Sequence, residues 1–306
     1  MSKPPAPFDV APAAAMKSSP RLAILVMCAG VASLVVSDTA AKLLLTGAGY
    51  TPLQILFVRS WLAAPLALAL VLRFDGARAL ATPHLALHAV RGVLYVGAVA
   101  AFYGSLHDLS LAAATSLIFA APLFVAAIAA VFLRERVPGR HWAAILLGFA
   151  GVLIIVQPGA EAFRPASLLA VTAAAVYALM MVSARWITAH DGFRTMTFYL
   201  TVIPGVLCSF VLLADWPAMQ PGDAWLFAAA GVFGTMGVSL ISQAFRVGPA
   251  AVVAPFDYTA LVWASLAGWL VWGTVPGGFV YAGAALIAAS GLYLIFRGAA
   301  AAPRED

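Results

Sequence analysis

The chain has 306 residues, of which 64% are hydrophobic and only 9% charged, and its mean hydropathy is +1.00. A soluble domain carries nearer 25% charge, and a soluble fold of this size cannot hide so much apolar surface, so the excess must face lipid. Basic residues outnumber acidic ones by 17 to 12, but the charges sit in short loops between apolar runs, which excludes a nucleic-acid surface.

Residues 1–21 are polar and rich in Pro and Ala, and are expected to be a disordered cytoplasmic segment. They do not form a cleaved signal peptide, because Leu22 opens a full-length span. Ten helices are predicted, at 22–44, 51–72, 84–104, 110–133, 141–157, 165–187, 193–214, 223–246, 249–272 and 277–297. A single crossing needs about 20 apolar residues, and in lipid only a helix satisfies its own backbone. Turn chemistry separates the runs: Gly47 and Gly49 before Pro52, Pro138-Gly139, Pro158-Gly159 with Pro165, Pro217 to Gly222, Gly248-Pro249, and Pro276-Gly277-Gly278. A short tail, 298–306, follows. Cys28 and Cys208 lie inside apolar runs and behave as small hydrophobes.

Basic residues fix an expected orientation. With a cytoplasmic N-terminus, Lys3, Lys17, Arg21, Arg73, Arg78, Arg134, Arg136, Arg140, Arg185, Arg194, Arg246, Arg297 and Arg304 all fall inside. Asp108, Glu161, Asp215 and Asp223 fall outside. Both termini are then cytoplasmic, in the inner membrane of a bacterium.

Residues 109–138 align with 247–276, matching Ala112 to Ala250, Leu123 to Leu261, Ala126 to Ala264 and Pro138 to Pro276. Five spans per half force the second half to be inverted. The expected fold is therefore an all-α membrane protein of ten transmembrane helices in two inverted five-helix repeats, 22–159 and 160–297. That architecture places a solute site near mid-membrane between the halves.

Polar residues in the spans are the candidate site. On the third helix His84, His88, Arg91, Tyr95 and Phe102 share one sector. Arg91 either lines a wet cavity or snorkels with the histidines to the interface. Asp257, in Pro255-Phe-Asp257-Tyr-Thr259, must be paired, neutral or wet, and is read as a ligand for a solute amine or as a structural partner. Asp38 and Lys42 are spaced to pair along one face of the first helix. The eighth helix carries Thr235, Ser239, Gln243 and Arg246 on one side, as pore lining or as interhelical glue. Tyr177 and Met181 on the sixth helix, with Tyr95, Tyr103, Tyr258 and Trp263, are the aromatic and thioether candidates for solute contact. Arg59 and Glu135 are read as structural or gating residues. Arg59 is expected to meet an outer-loop acid or helix-end carbonyls, and Glu135 a flanking arginine.

Four stretches carry a resemblance: Asp38-Thr-Ala-Ala-Lys42, Phe57-Val-Arg59, Pro122-Leu-Phe running to Leu133-Arg-Glu135-Arg, and Gly151-Val-Leu-Ile-Ile-Val-Gln-Pro-Gly159. In order and at this spacing they resemble the drug/metabolite transporter superfamily, in its ten-helix branch with two EamA-type repeats. Arg134 stands where that family keeps a small residue, and Gly273-Thr274 where many members are acidic. The resemblance implies a secondary transporter of small metabolites, nearest to exporters of amino acids and other amphoteric solutes. Nucleotide-type or cationic drug-like solutes, or a membrane-embedded enzyme or scaffold, are the alternatives.

Enzyme chemistry lacks support, since the sequence has no His-Glu-x-x-His, no Gly-x-Ser-x-Gly and no phosphate-cradling loop. Neither a metal site nor a cofactor is expected. The expected partners are a small-molecule substrate and membrane lipid, and ten spans can enclose a cavity as a monomer.

Overall fold

A computed structural model describes residues 20–132, 139–157, 163–183, 191–212, 218–247 and 253–300, and all regular structure there is helical. The helices are α1 (Pro20–Gly47), α2 (Pro52–Phe74), α3 (Leu85–Ser105), α4 (Leu111–Ile118), α5 (Ala121–Phe132), α6 (Gly139–Val156), α7 (Ala166–Ser183), α8 (Phe193–Leu212), α9 (Ala224–Val247), α10 (Ala260–Trp272) and α11 (Gly278–Ala300). Five helical stretches are long and apolar enough to cross a membrane, and shorter apolar helices accompany them.

Local chemistry sets the boundaries. Thr51 caps α2, accepting from the Gln54 amide at 3.2 Å, with Pro52 in the first turn, where its missing N–H costs nothing. Ser110 caps α4 in the same way, at 3.2 Å from the Ala113 amide. Gly273, at φ +65°, ends α10 in the left-handed conformation, and its amide and that of Thr274 return to Trp269 and Gly268.

Two expected spans are interrupted. The fourth is broken at Phe119–Ala120 into α4 and α5, because Pro122 has no amide for the Ile118 carbonyl and its ring collides with it. In the ninth, Val253 is helical, and a 3-10 turn, Ala254–Thr259, with Pro255 in its first turn, separates it from the α-helix that starts at Ala260. Under the alignment of the two halves Phe119 corresponds to Asp257. Both repeats therefore leave α-helical geometry at the same place, and the Phe119 and Tyr258 rings meet there at 4.8 Å.

Packing shows the same twofold logic. The most extensive helix pairs are α1–α9, α6–α11, α2–α8 and α3–α7, followed by α7 on the joined α4 and α5, by α1 on α10 with the 3-10 turn before it, and by α3–α8 and α2–α9. Counted with α4 and α5 as one span, shifting every span by five maps this set onto itself. The pair α1–α9 becomes α7–α3, α2–α9 becomes α8–α3, and α2–α8 and α6–α11 return unchanged. Two crossings bring backbones together through glycine, as lipid-embedded helices require for close packing. A Cβ on Gly237 would lie 2.8 Å from the Gly30 carbonyl oxygen, and one on Gly283 would lie 2.5 Å from that of Gly151.

Among the described residues the main buried cluster reaches towards one end. It takes Leu44, Leu45, Tyr50 and Ile55 from the α1–α2 turn and Tyr103, Leu106 and Leu111 from the α3–α4 turn. Val156 of α6, Ala166 of α7, and Leu226 and Phe227 of α9 complete it at the same end, here called the Tyr50 end. Towards the opposite end, the Asp75 end, the described residues include a second buried cluster of Ala23, Met27, Val31, Ala244 and Val253, and Val71 and Met180 are buried there as well.

Candidate functional site

Arg91 projects from α3 with only 3% of its surface exposed, and its Nε and Nη1 have no hydrogen-bond partner. Placing an Arg at the centre of a spanning helix costs about 2.5–3.5 kcal/mol on insertion scales, so an unpaired one in a packed interior needs a partner from outside the chain. Among the described residues the group acting on its charge is Tyr177 of α7. Tyr177 in turn lies within electrostatic reach of Asp257, Tyr95 and Arg91. Asp257, in the 3-10 turn before α10, keeps an exposed surface and makes no ion pair or hydrogen bond among the described residues. Arg91 and Asp257 therefore flank Tyr177 without pairing with each other.

A second cluster joins the first through Tyr95. Arg59 Nη1 donates to the Tyr103 hydroxyl at 3.0 Å. Asp38, Tyr95 and Tyr103 all act on its charge. The chain Asp38–Arg59–Tyr103–Tyr95–Tyr177 thus runs from α1 through α2 and α3 to α7, with Arg91 and Asp257 at its far end. Tyr103 is 1% exposed and belongs to the main core. Tyr177, Met181 and Trp263 remain about a third exposed.

Several expectations need correction. Lys42 does not pair with Asp38. Its ammonium donates to the Leu109 carbonyl at 2.5 Å and lies 5.1 Å from the Trp272 ring centroid. The Leu109 carbonyl, just before capped α4, is within reach of that long side chain, while Asp38 lies within electrostatic reach of Arg59. Arg59 meets no outer-loop acid among the described residues; Asp38 and Tyr103 bring its charge inside the bundle. His84 and His88 do not simply snorkel to the interface. His88 is 2% exposed, contacts Asp191 at 2.9 Å and stacks on Tyr199 at 4.6 Å.

The polar stripe of α9 is partly spent on its own helix. Thr235 donates to the Gly231 carbonyl and Ser239 to that of Thr235, each at 2.8 Å. Ser239 remains exposed and Gln243 half-buried. Tyr258 packs its hydroxyl against Gly291. Glu135 lies outside the described residues.

Sequence reasoning missed the polar ties at the two ends. At the Asp75 end, Asp191 accepts from Thr82 at 2.6 Å as well as contacting His88, and Arg194 forks onto Asp75. Burial alone would raise the Asp191 carboxyl, but the Thr82 and His88 hydrogen bonds and the histidine charges outweigh it and hold it below its usual range. The Arg194 hydrogen bond holds Asp75 low as well. At the other end the Tyr50 hydroxyl donates to Asp223 at 2.8 Å and accepts the Gln220 amide at 2.8 Å. These partners lie more than 100 residues apart in sequence, and no spacing announces them.

Comparison with known proteins gives this arrangement its setting. Residues 21–157 and again 164–297 match the EamA-like transporter family. The chain belongs to that family. The transporter is 32% identical to a riboflavin transporter of Rhizobium johnstonii, over 72% of this chain and 73% of that protein. It is 37% identical to a riboflavin transporter of Vibrio cholerae, over 57% of this chain and 59% of that one. A Rickettsia bellii S-adenosylmethionine uptake transporter shares 25% identity over 79% of this chain. The protein is thus a membrane transporter of small metabolites and not an enzyme.

Proposed function

We propose that this transporter works by alternating access with ten spans in two inverted repeats, both termini in the cytoplasm, and that its solute is an amphoteric heteroaromatic metabolite. The observation that supports the solute class is that Tyr177 lies within electrostatic reach of both Arg91, whose Nε and Nη1 are buried without a hydrogen-bond partner, and the carboxylate of Asp257. A ring can lie on Tyr177 or Tyr95, an acidic or carbonyl-rich edge can reach Arg91, and a donor or cationic group can reach Asp257. Each contact satisfies a group that the chain leaves open, which is how a buried site gains specificity.

The relatives favour this class over simple amino acids. Riboflavin and S-adenosylmethionine share a fused nitrogen heterocycle with a hydroxylated chain. Amino acids remain amphoteric but lack the ring. Symmetric helix pairing and breaks at Phe119 and Asp257 support the inverted repeat, since interrupted spans near mid-membrane are where such folds hold solute.

The test is uptake into proteoliposomes of riboflavin, S-adenosylmethionine and a panel of amino acids, with and without a pH gradient. Asp257→Asn and Arg91→Gln should fold normally and lose transport of the preferred solute at least about tenfold, the worth of one charge-assisted hydrogen bond. If a well-folded Asp257→Asn protein transports at the wild-type rate, the reading fails.

A further inference from the structure

Lys42 is 9% exposed, yet its charge is not neutralised. The Leu109 carbonyl and the Trp272 ring are its neighbours, and among the described residues no carboxylate acts on it. Both partners are soft acceptors that orient an ammonium without cancelling it. A cationic head in this position calls for an anion or for water. Next to it is a cavity of about 330 Å³ at the Tyr50 end, whose lining includes Lys42, Thr46, Asp108, Ser110, Trp272 and Thr274. That is enough room for a small ligand group. The cavity shares no residue with the pair Arg91 and Asp257.

We propose that this cavity is a binding site for an anionic group, a carboxylate or a phosphate, held by Lys42. Thr46 and Thr274 donate their hydroxyl protons to the Lys42 and Gly268 carbonyls, so the lining hydroxyl free to donate to an anion is that of Ser110, whose oxygen accepts the Ala113 amide, and the Trp272 ring offers a flat wall. Asp108 also lines the cavity and is exposed to solvent; it makes no ion pair with Lys42 among the described residues, and its charge opposes part of the pull on an anion. Lys42 is buried and keeps its field. The ammonium has three N–H donors, so an anion can bind it while the Leu109 carbonyl keeps its place.

Charged thiol reagents test this in detergent solution without knowledge of the natural ligand. In a Cys28→Ala, Cys208→Ala background, Thr46→Cys places a thiol on the cavity wall, and Ala218→Cys provides an exposed control at the same end. The ratio of rates for a sulfonate-bearing over a trimethylammonium-bearing methanethiosulfonate should be about tenfold higher at residue 46 than at residue 218. Lys42→Gln should abolish that bias, Lys42→Arg should keep it, and high salt should reduce it. Protection of residue 46 by millimolar inorganic phosphate in lipid-free detergent assigns the site to a soluble anion. Protection only by added phosphatidylglycerol assigns it to a lipid headgroup. Equal ratios at the two positions overturn the proposal even if Lys42→Gln fails to fold, and so does a bias that survives Lys42→Gln.

Discussion

The guanidinium of Arg59 lies face-on against Gly234. A Cβ at Gly234 would stand 2.8 Å from Nε and 2.9 Å from both Cζ and Nη2. The glycine on α9 is therefore the seat on which the α2 arginine rests while it donates to Tyr103.

Gly234→Ala should consequently leave folding almost intact and damage transport. The atoms it displaces are the far end of a flexible side chain, so the arginine moves at small cost but leaves Tyr103 and Asp38. A drop in uptake of about tenfold, with melting temperature nearly unchanged, is the expected result. Gly237→Ala should behave in the opposite way. Its methyl meets the Gly30 backbone oxygen at 2.8 Å, which cannot step aside, and overpacking there costs about 1–3 kcal/mol of stability. Equal thermal losses in the two variants would refute the distinction.

The two carboxylates at the Asp75 end should differ in worth. Asp191 has a side chain 7% exposed and pairs with His88, 1% exposed, whereas the Asp75–Arg194 pair is 26% and 34% exposed. At pH 7, Asp191→Asn should lower the melting temperature by roughly 2–4 °C or more, in line with a cost of about 1–3 kcal/mol. Asp75→Asn should change it by under about 1 kcal/mol. Both carboxyls are held low in the folded state, so the stability they give is complete above the unfolded carboxyl pKa of about 4 and fades as pH falls through the lower folded value. Melting curves of the wild type and both variants should converge as the pH is taken below about 4.

The proposed orientation can be checked at the Tyr50 end. Ala218→Cys, in the Cys28→Ala, Cys208→Ala background, should react with an impermeant thiol reagent applied to intact cells. Reaction confined to inverted vesicles would turn the molecule over while leaving its fold and site unchanged.

The helices were legible because lipid imposes one simple rule on composition, and the turn residues Pro52, Ser110 and Gly273 do their work locally. The breaks at Phe119 and Ala254–Thr259 were harder to see, although Pro122 and Pro255 are the residues that cause them. Apolar runs of 24 residues read as single spans until the prolines are tested against the carbonyl four places back. Arg91, Tyr177 and Asp257 stood out because polar groups are conspicuous in apolar runs. The partners chosen by Lys42 and His88 were hidden for a different reason. Spacing of four residues makes a pair possible, but Leu109 and Asp191 win through long-range contacts that no local pattern records.

The two ends of the bundle are held by different chemistry, with a consequence for how the cycle is measured. An apolar cluster at the Tyr50 end and polar ties at the Asp75 end give the two facings unequal stability, and solute arriving from the less open side meets only the minor conformer. The apparent affinity from that side is then reduced by the fraction of molecules open there, even if the intrinsic contacts are identical. Inverting a 99:1 resting bias takes about 5.5 kcal/mol of differential affinity. Influx and efflux by the same molecule should therefore saturate at different concentrations, and half-saturation measured from one side alone will not describe the site.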